Sequence, residues 1–187
     1  LPTGERVLAS LFQAVTPRTA GYNTADLTEM SDTSQAVTIL LMLTGGAPGS
    51  TAGGMKVTTL AVLAANAAAV FHRREEPQLF GRRLENSAVK NAAAILLLYL
   101  GLTFAGAAVI SAAEGLPLGA CLYETASAAG TVGLTLGLTP QLGTLSQAVL
   151  ILLMFFGRVG GLTLIYAAFS GHDLTCARCP KEKITVG

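Results

Sequence analysis

Apolar positions in this chain gather into blocks, and what lies between the blocks is either glycine-rich or charged. Short blocks cover 4–15, 34–44, 57–70 and 118–129, while longer ones cover 91–113 and 145–170. A helix that crosses a bilayer needs about 20 apolar residues. Only the two longer blocks meet that length, and the second of them carries Arg158 near its middle. Block 4–15 predicts a short helix that Thr16-Pro17 stops, because proline lacks the N–H that a helix interior needs. Block 118–129 predicts another short helix, running into Gly130-Thr131-Val132-Gly133-Leu134.

A short apolar helix followed by Thr-Val-Gly is the layout of a re-entrant pore loop. The helix aims the negative end of its dipole at a cation, and the extended backbone beyond it offers carbonyl oxygens in place of the ion's water. Five residues alone say little, but the pattern occurs twice. Thr19-Ala20-Gly21-Tyr22 precedes Thr131-Val132-Gly133-Leu134 by 112 positions (131 − 19), and Gln35 precedes Gln147 by the same 112 (147 − 35). Under that offset Ser34-Gln35-Ala36-Val37 matches Ser146-Gln147-Ala148-Val149, Ile39-Leu40-Leu41-Met42 matches Ile151-Leu152-Leu153-Met154, and Gly45 matches Gly157. Chance alignment of two apolar runs does not explain why the loops and the helix starts share one register. The period is too long for a solenoid and fits duplicated membrane modules that build a site at their interface.

The most unusual stretch is 45–54, where five glycines stand with Pro48, Ser50 and Thr51. Such a composition cannot hold a regular helix, so its backbone groups must face water or protein rather than lipid. A phosphate-binding loop would need Gly-Lys-Ser/Thr, and Gly54-Met55-Lys56-Val57 does not supply it.

Composition agrees with a membrane protein: 51% of residues are hydrophobic, 12% are charged and the mean hydropathy is +0.57. A net charge of +1 gives no general case for nucleic acid as a partner. Three cysteines make no disulfide framework, and Cys176 and Cys179, spaced as CxxC, have no second pair to complete a zinc site. The two histidines, His72 and His172, stand at charged ends, and no His or carboxylate cluster suggests an enzyme.

With these residues in view, the chain resembles the Trk/Ktr/HKT potassium transporter superfamily, particularly its bacterial TrkH and KtrB branch. The resemblance rests on TPRTAGYNT at 16–24, GGAPGSTAGGMKVTT at 45–59, SAAGTVGLTLGLT at 127–139 and FGRVGGLTL at 156–164. It implies an all-α membrane protein of repeated helix–pore loop–helix modules with a broken inner helix. On that reading 1–70 is a third module without its outer helix, 71–90 a cytoplasmic linker, 91–170 a fourth module and 171–187 a cytoplasmic tail. The chain would then be the C-terminal portion of a longer protein.

The resemblance further implies a filter that holds K⁺ on carbonyls of Thr19, Ala20, Gly21, Tyr22, Thr131, Val132, Gly133 and Leu134. It implies a gate beneath the filter made of Gly45, Gly46, Ala47, Pro48, Gly49, Ser50, Gly53 and Gly54, with Lys56 at its end and Arg158 close by. Gly161 stands where the family commonly has proline. The implied activity is uptake of potassium or sodium by a multi-pass protein of the inner membrane, with no cofactor. The implied partners are the lipid bilayer, a second copy of the chain and a cytoplasmic nucleotide-binding subunit of the TrkA/KtrA type. The competing reading is a non-transporting membrane scaffold or membrane-embedded enzyme whose glycines only allow close helix packing.

Individual charges carry their own expectations. The basic excess of 71–90 and of the tail places both in the cytoplasm, with 24–32 and 112–116 outside. Arg18 is expected to pair with an acidic neighbour behind the filter. Asp26, Glu29 and Asp32 read as a solvated loop or as an attractor of cations. Glu124, inside a pore helix, reads as a brace for the filter or as an attractor of ions.

Overall fold

The computed structural model describes residues 3–24, 26–74 and 76–160. Six helices account for most of it: α1 (Thr3–Val15), α2 (Asp32–Leu43), α3 (Val57–Phe71), α4 (Asn86–Glu114), α5 (Leu118–Ala129) and α6 (Thr144–Val159). The expected continuation of the last helix to 170, Gly161, His172, the Cys176/Cys179 pair and the tail lie outside the described residues.

Small side chains explain why α5 is central. Cys121 and every residue from Tyr123 to Ala129 are buried, and α5 packs against α2, α4 and α6. Alanine, serine and threonine let backbones approach closely, which is what holds helices together when the surroundings are as apolar as the side chains. One core cluster joins Met42, Leu43, Tyr99 and Tyr123 to Val132 and Leu134 of the following loop. A second, around Ala107, Ile110, Cys121, Leu150 and Leu153, ties α4 and α6 to the other flank of α5. Gly106 of α4 makes room there for Leu153 and Thr125.

Among the described residues α4 is the one helix long and apolar enough to cross a membrane, with a mean hydropathy of 2.3 over its most apolar window. Its outward face carries Leu97, Phe104 and Val109, and that of α6 carries Ile151, Leu152 and Phe155. Such surfaces suit hydrocarbon. The helix starts at Asn86 rather than at the expected 91, because nothing in Asn86-Ser87-Ala88-Val89-Lys90 breaks a helix. It ends where Gly115 turns left-handed at φ 67°.

The internal repeat extends to hydrogen bonds. Gln35 Nε2 donates to the Met30 carbonyl (3.2 Å), and Gln147 Nε2 donates to the Leu142 carbonyl (3.0 Å), each pair displaced by the same 112 positions. The two helix starts are capped differently, however. Ser31 accepts the Ser34 N–H at the start of α2, whereas its counterpart Gly143 has no side chain. Glu114, from the end of α4, takes over by accepting from Gly143 N–H (2.8 Å) and Ser146 Oγ (2.6 Å). An outer helix thereby fixes the start of an inner one.

The linker departs from the all-helical expectation. Gln78–Leu79 and Arg82–Arg83 pair as a small antiparallel hairpin, turned by Phe80 and Gly81, both at positive φ (48° and 75°). Two successive left-handed residues make the tight turn whose twist suits a hairpin.

Candidate pore and gate

The two Thr-x-Gly loops share an uncommon backbone. Thr19 and Thr131 have φ of 66° and 53°, and Gly21 and Gly133 have φ of 72° and 92°. Ala20, Tyr22, Val132 and Leu134 keep ordinary negative φ. Positive φ at every second position is thus common to both loops, 112 positions apart. A β-branched residue resists the left-handed region, and each threonine held there costs about 1–3 kcal/mol. The same strain at one offset in both loops means that both are held by their surroundings.

What holds them differs. Thr16 is buried at the end of α1, and its Oγ1 donates to the Tyr22 carbonyl (2.7 Å). In the second loop Ser127 Oγ accepts from Gly133 N–H (3.2 Å), and Val132 N–H returns to the Ser127 carbonyl (2.9 Å). The loops lie side by side. A Cβ on Gly21 would land on the Val132 carbonyl oxygen, while one on Gly133 would meet nothing within 4 Å.

Residues 45–54 lie directly against the second loop. α2 stops at Leu43 and α3 starts at Val57, with the chain between them looped out. Its neck is closed by Gly45 N–H to the Met55 carbonyl (2.7 Å), Met55 N–H to Leu43 (3.2 Å) and Val57 N–H to Gly46 (3.2 Å). Gly45, Gly53 and Gly54 are buried at the base, whereas Ala47, Pro48, Gly49, Ser50 and Thr51 form an exposed tip. Gly53 abuts the side chain of Thr131 with no room for a Cβ. Thr131 Oγ1 is itself buried with no protein partner.

Two cations grip the tip. Lys56 Nζ donates to the carbonyls of Ser50 (3.3 Å) and Ala52 (2.6 Å), and Arg158 Nη1 donates to that of Thr51 (2.8 Å). Three consecutive carbonyls are thus held by charge-assisted hydrogen bonds. A cavity of about 630 Å³ runs from Glu124 past Thr131 and Gly133 to Met154 and Arg158. No group of three or more His, Cys, Asp or Glu side chains among the described residues is placed to hold a metal ion.

Two further residues that the sequence singled out are placed as follows. Arg18 is exposed and forms no ion pair among the described residues, contrary to the expected pairing. Asp26, in the acidic stretch that follows, accepts from the hydroxyl (2.6 Å) and the N–H (2.9 Å) of Thr28. These bonds hold the Asp26 carboxyl below its ordinary range. Glu124 is buried and accepts from Thr135, Leu136 and Thr139. Sequence reasoning did not find those three donors, although Thr135 and Thr139 stood within the 127–139 motif.

A family model described as TrkH, cation transport protein, matches residues 1–173. The chain is 37% identical over 183 residues to Ktr system potassium uptake protein B of Bacillus subtilis, covering 98% of this chain and 41% of that protein. It is 38% identical over 189 residues to potassium/sodium uptake protein NtpJ of Enterococcus hirae, covering 98% of this chain and 42% of that protein. The chain therefore spans about two fifths of the length of these relatives. The crystal structure of the potassium transporter TrkH from Vibrio parahaemolyticus has the same fold, with a TM-score of 0.73 at 23% identity over 89% of this chain and 38% of that one. With a family match over nearly its whole length, the chain belongs to the TrkH family of cation transport proteins.

Proposed function

We propose that the protein containing this chain takes up potassium, or sodium, across the inner membrane. The observation that carries the reading is the pair of loops that repeat one strained backbone at one offset and touch at Gly21 and the Val132 carbonyl. Carbonyls of Thr19, Ala20, Gly21, Tyr22, Thr131, Val132, Gly133 and Leu134 replace water around the ion, and the unpartnered Thr131 hydroxyl adds an oxygen beside them. Residues 1–70 and 91–170 act as two pore modules, with α2 and α3 as one inner helix broken at 45–54. That loop is the gate, held shut by Lys56 and Arg158. The names of the relatives support potassium, or potassium and sodium, as cargo. Assembly as a homodimer, with a cytoplasmic nucleotide-binding subunit of the TrkA/KtrA type, completes the reading.

Uptake by the full-length protein in cells deficient in potassium transport tests it. Wild type restores growth on low potassium. Gly21→Ser lowers discrimination against sodium more than Gly133→Ser, because the first adds both strain and a collision with Val132 while the second adds strain alone. A wild type that moves neither ion, or two serine variants with unaltered discrimination, overturns the filter.

A further inference from the structure

Glu124 is a buried carboxylate that neither the loop carbonyls nor the gate uses. It stands on α5, two turns ahead of the second loop, and is 4% exposed. Its Oε1 accepts from Thr135 Oγ1 (2.6 Å) and Leu136 N–H (2.9 Å), and its Oε2 accepts from Thr139 Oγ1 (2.7 Å). All three donors belong to the five residues that follow the loop directly. Thr135 and Thr139 also touch one another (3.2 Å), and Thr135 Oγ1 takes the Gly137 N–H (2.9 Å). No lysine or arginine pairs with Glu124 among the described residues. A buried charge without a counter-ion persists only when hydrogen bonds satisfy it.

We propose that Glu124 is a positioning residue that sets ion discrimination by clamping the outgoing end of loop 130–134. Ser127 pins Gly133 at one point, and Glu124 pins residues 135–139 just beyond it. Leu134, between the two pins, is 2% exposed. The loop is thereby stretched between two fixed points on one helix, and the spacing of its carbonyls is set by α5. The first loop has no carboxylate at the matching helix position: 112 positions before Glu124 stands Phe12, and Thr16 Oγ1 donates to Tyr22 of that loop. A carboxylate at that helix position is therefore not a requirement of the shared backbone. Ion attraction explains the geometry less well, because three donors from one short segment already occupy both carboxylate oxygens.

This inference rests on the filter reading, and the experiment separates the two. The full-length protein is compared as wild type, Glu124→Ala, Glu124→Gln and the double variant Thr135→Val/Thr139→Val. The readouts are the potassium-to-sodium uptake ratio, the apparent KM for potassium and the amount inserted in the membrane. Glu124→Ala lowers the ratio by about tenfold or more, since small displacements of liganding atoms weigh heavily. Glu124→Gln stays within roughly twofold of wild type, because the amide oxygen still accepts from Thr135 and Leu136 and its NH₂ can donate to Thr139. The double valine variant, which keeps the charge, falls with the alanine variant. If Glu124→Ala fails to insert, the valine pair decides. An alanine or valine variant with the wild-type ratio overturns the clamp, and so does a glutamine variant that falls as far as alanine with a raised KM, which assigns the effect to charge. A wild type that transports without discriminating sinks the filter reading itself.

Discussion

Thr131 is constrained from three sides at once. Its backbone is left-handed, its side chain lies against Gly53 of the gate loop, and its methyl group would stand 3.1 Å from a Cβ on Gly157 of α6. The Thr-x-Gly spacing was legible in the sequence because it recurs at a fixed offset. Its contact with Gly53 was not, since glycine leaves no side-chain pattern to read. Arg158 was expected to face inward, because an arginine on a lipid face is costly; it is exposed and donates to the Thr51 carbonyl, while Arg18 misled because an arginine beside an exposed turn can keep its head in water. The grip on the loop tip gives a prediction at this scale. Arg158→Ala removes one of three hydrogen bonds to carbonyls 50–52 and leaves the filter alone, so maximal uptake rises by about threefold to tenfold, the equivalent of about 1 kcal/mol, with apparent KM little changed. Adding Lys56→Ala raises it again. Unaltered or lower uptake by normally inserted variants counts against the gate.

Helices in this chain approach one another along glycines, and the closeness differs from one to the next. Cβ atoms on Gly130 and Gly157 would land on the carbonyl oxygens of Met42 and Ala129, neither of which can move without its helix. Gly101, inside α4, has nothing within 4 Å. Gly157→Ala therefore destabilises the full-length protein by about 1–3 kcal/mol through overpacking, while Gly101→Ala stabilises it by about 0.5–1 kcal/mol through helix propensity. Thermal unfolding in detergent should show opposite shifts, and shifts of the same sign would refute the difference in packing. Apolar blocks located the starts of the described helices to within five residues, because block ends coincide with proline, glycine or charge, while the expected end of the last block at 170 lies outside the described residues. The hairpin at 78–83 escaped notice: strands of two residues are too short to show alternation, and Phe80 is an unusual occupant of a left-handed turn. Capping of α6 by Glu114 escaped for another reason, since its partners lie 29 and 32 residues away.

At the scale of the whole molecule, charge and hydrophobic length agree on a topology. On the proposed reading α4 spans the bilayer, the basic hairpin lies at its start, and the acidic loop before α2 lies at the opposite end of the module. Single cysteines introduced into the full-length protein test this. In intact cells an impermeant thiol reagent should modify position 29 and spare position 74, and the reverse result inverts the orientation. Membership of a family of cation transport proteins removes the enzyme reading that the sequence alone left open. The repeat itself was legible and recurs in the backbone of both loops, whereas the neck that joins α2 to α3 was not, being made of backbone bonds that any sequence could form. That neck has a mechanical meaning. Because Leu43 and Gly46 are bonded to Met55 and Val57 across it, the proposed gate would swing from a fixed root while the helices on either side stay where they are. On the proposed reading, a gate hung in this way would change the width of the pathway without changing the area that the protein occupies in the bilayer, so lateral tension in the membrane would do no work on its opening.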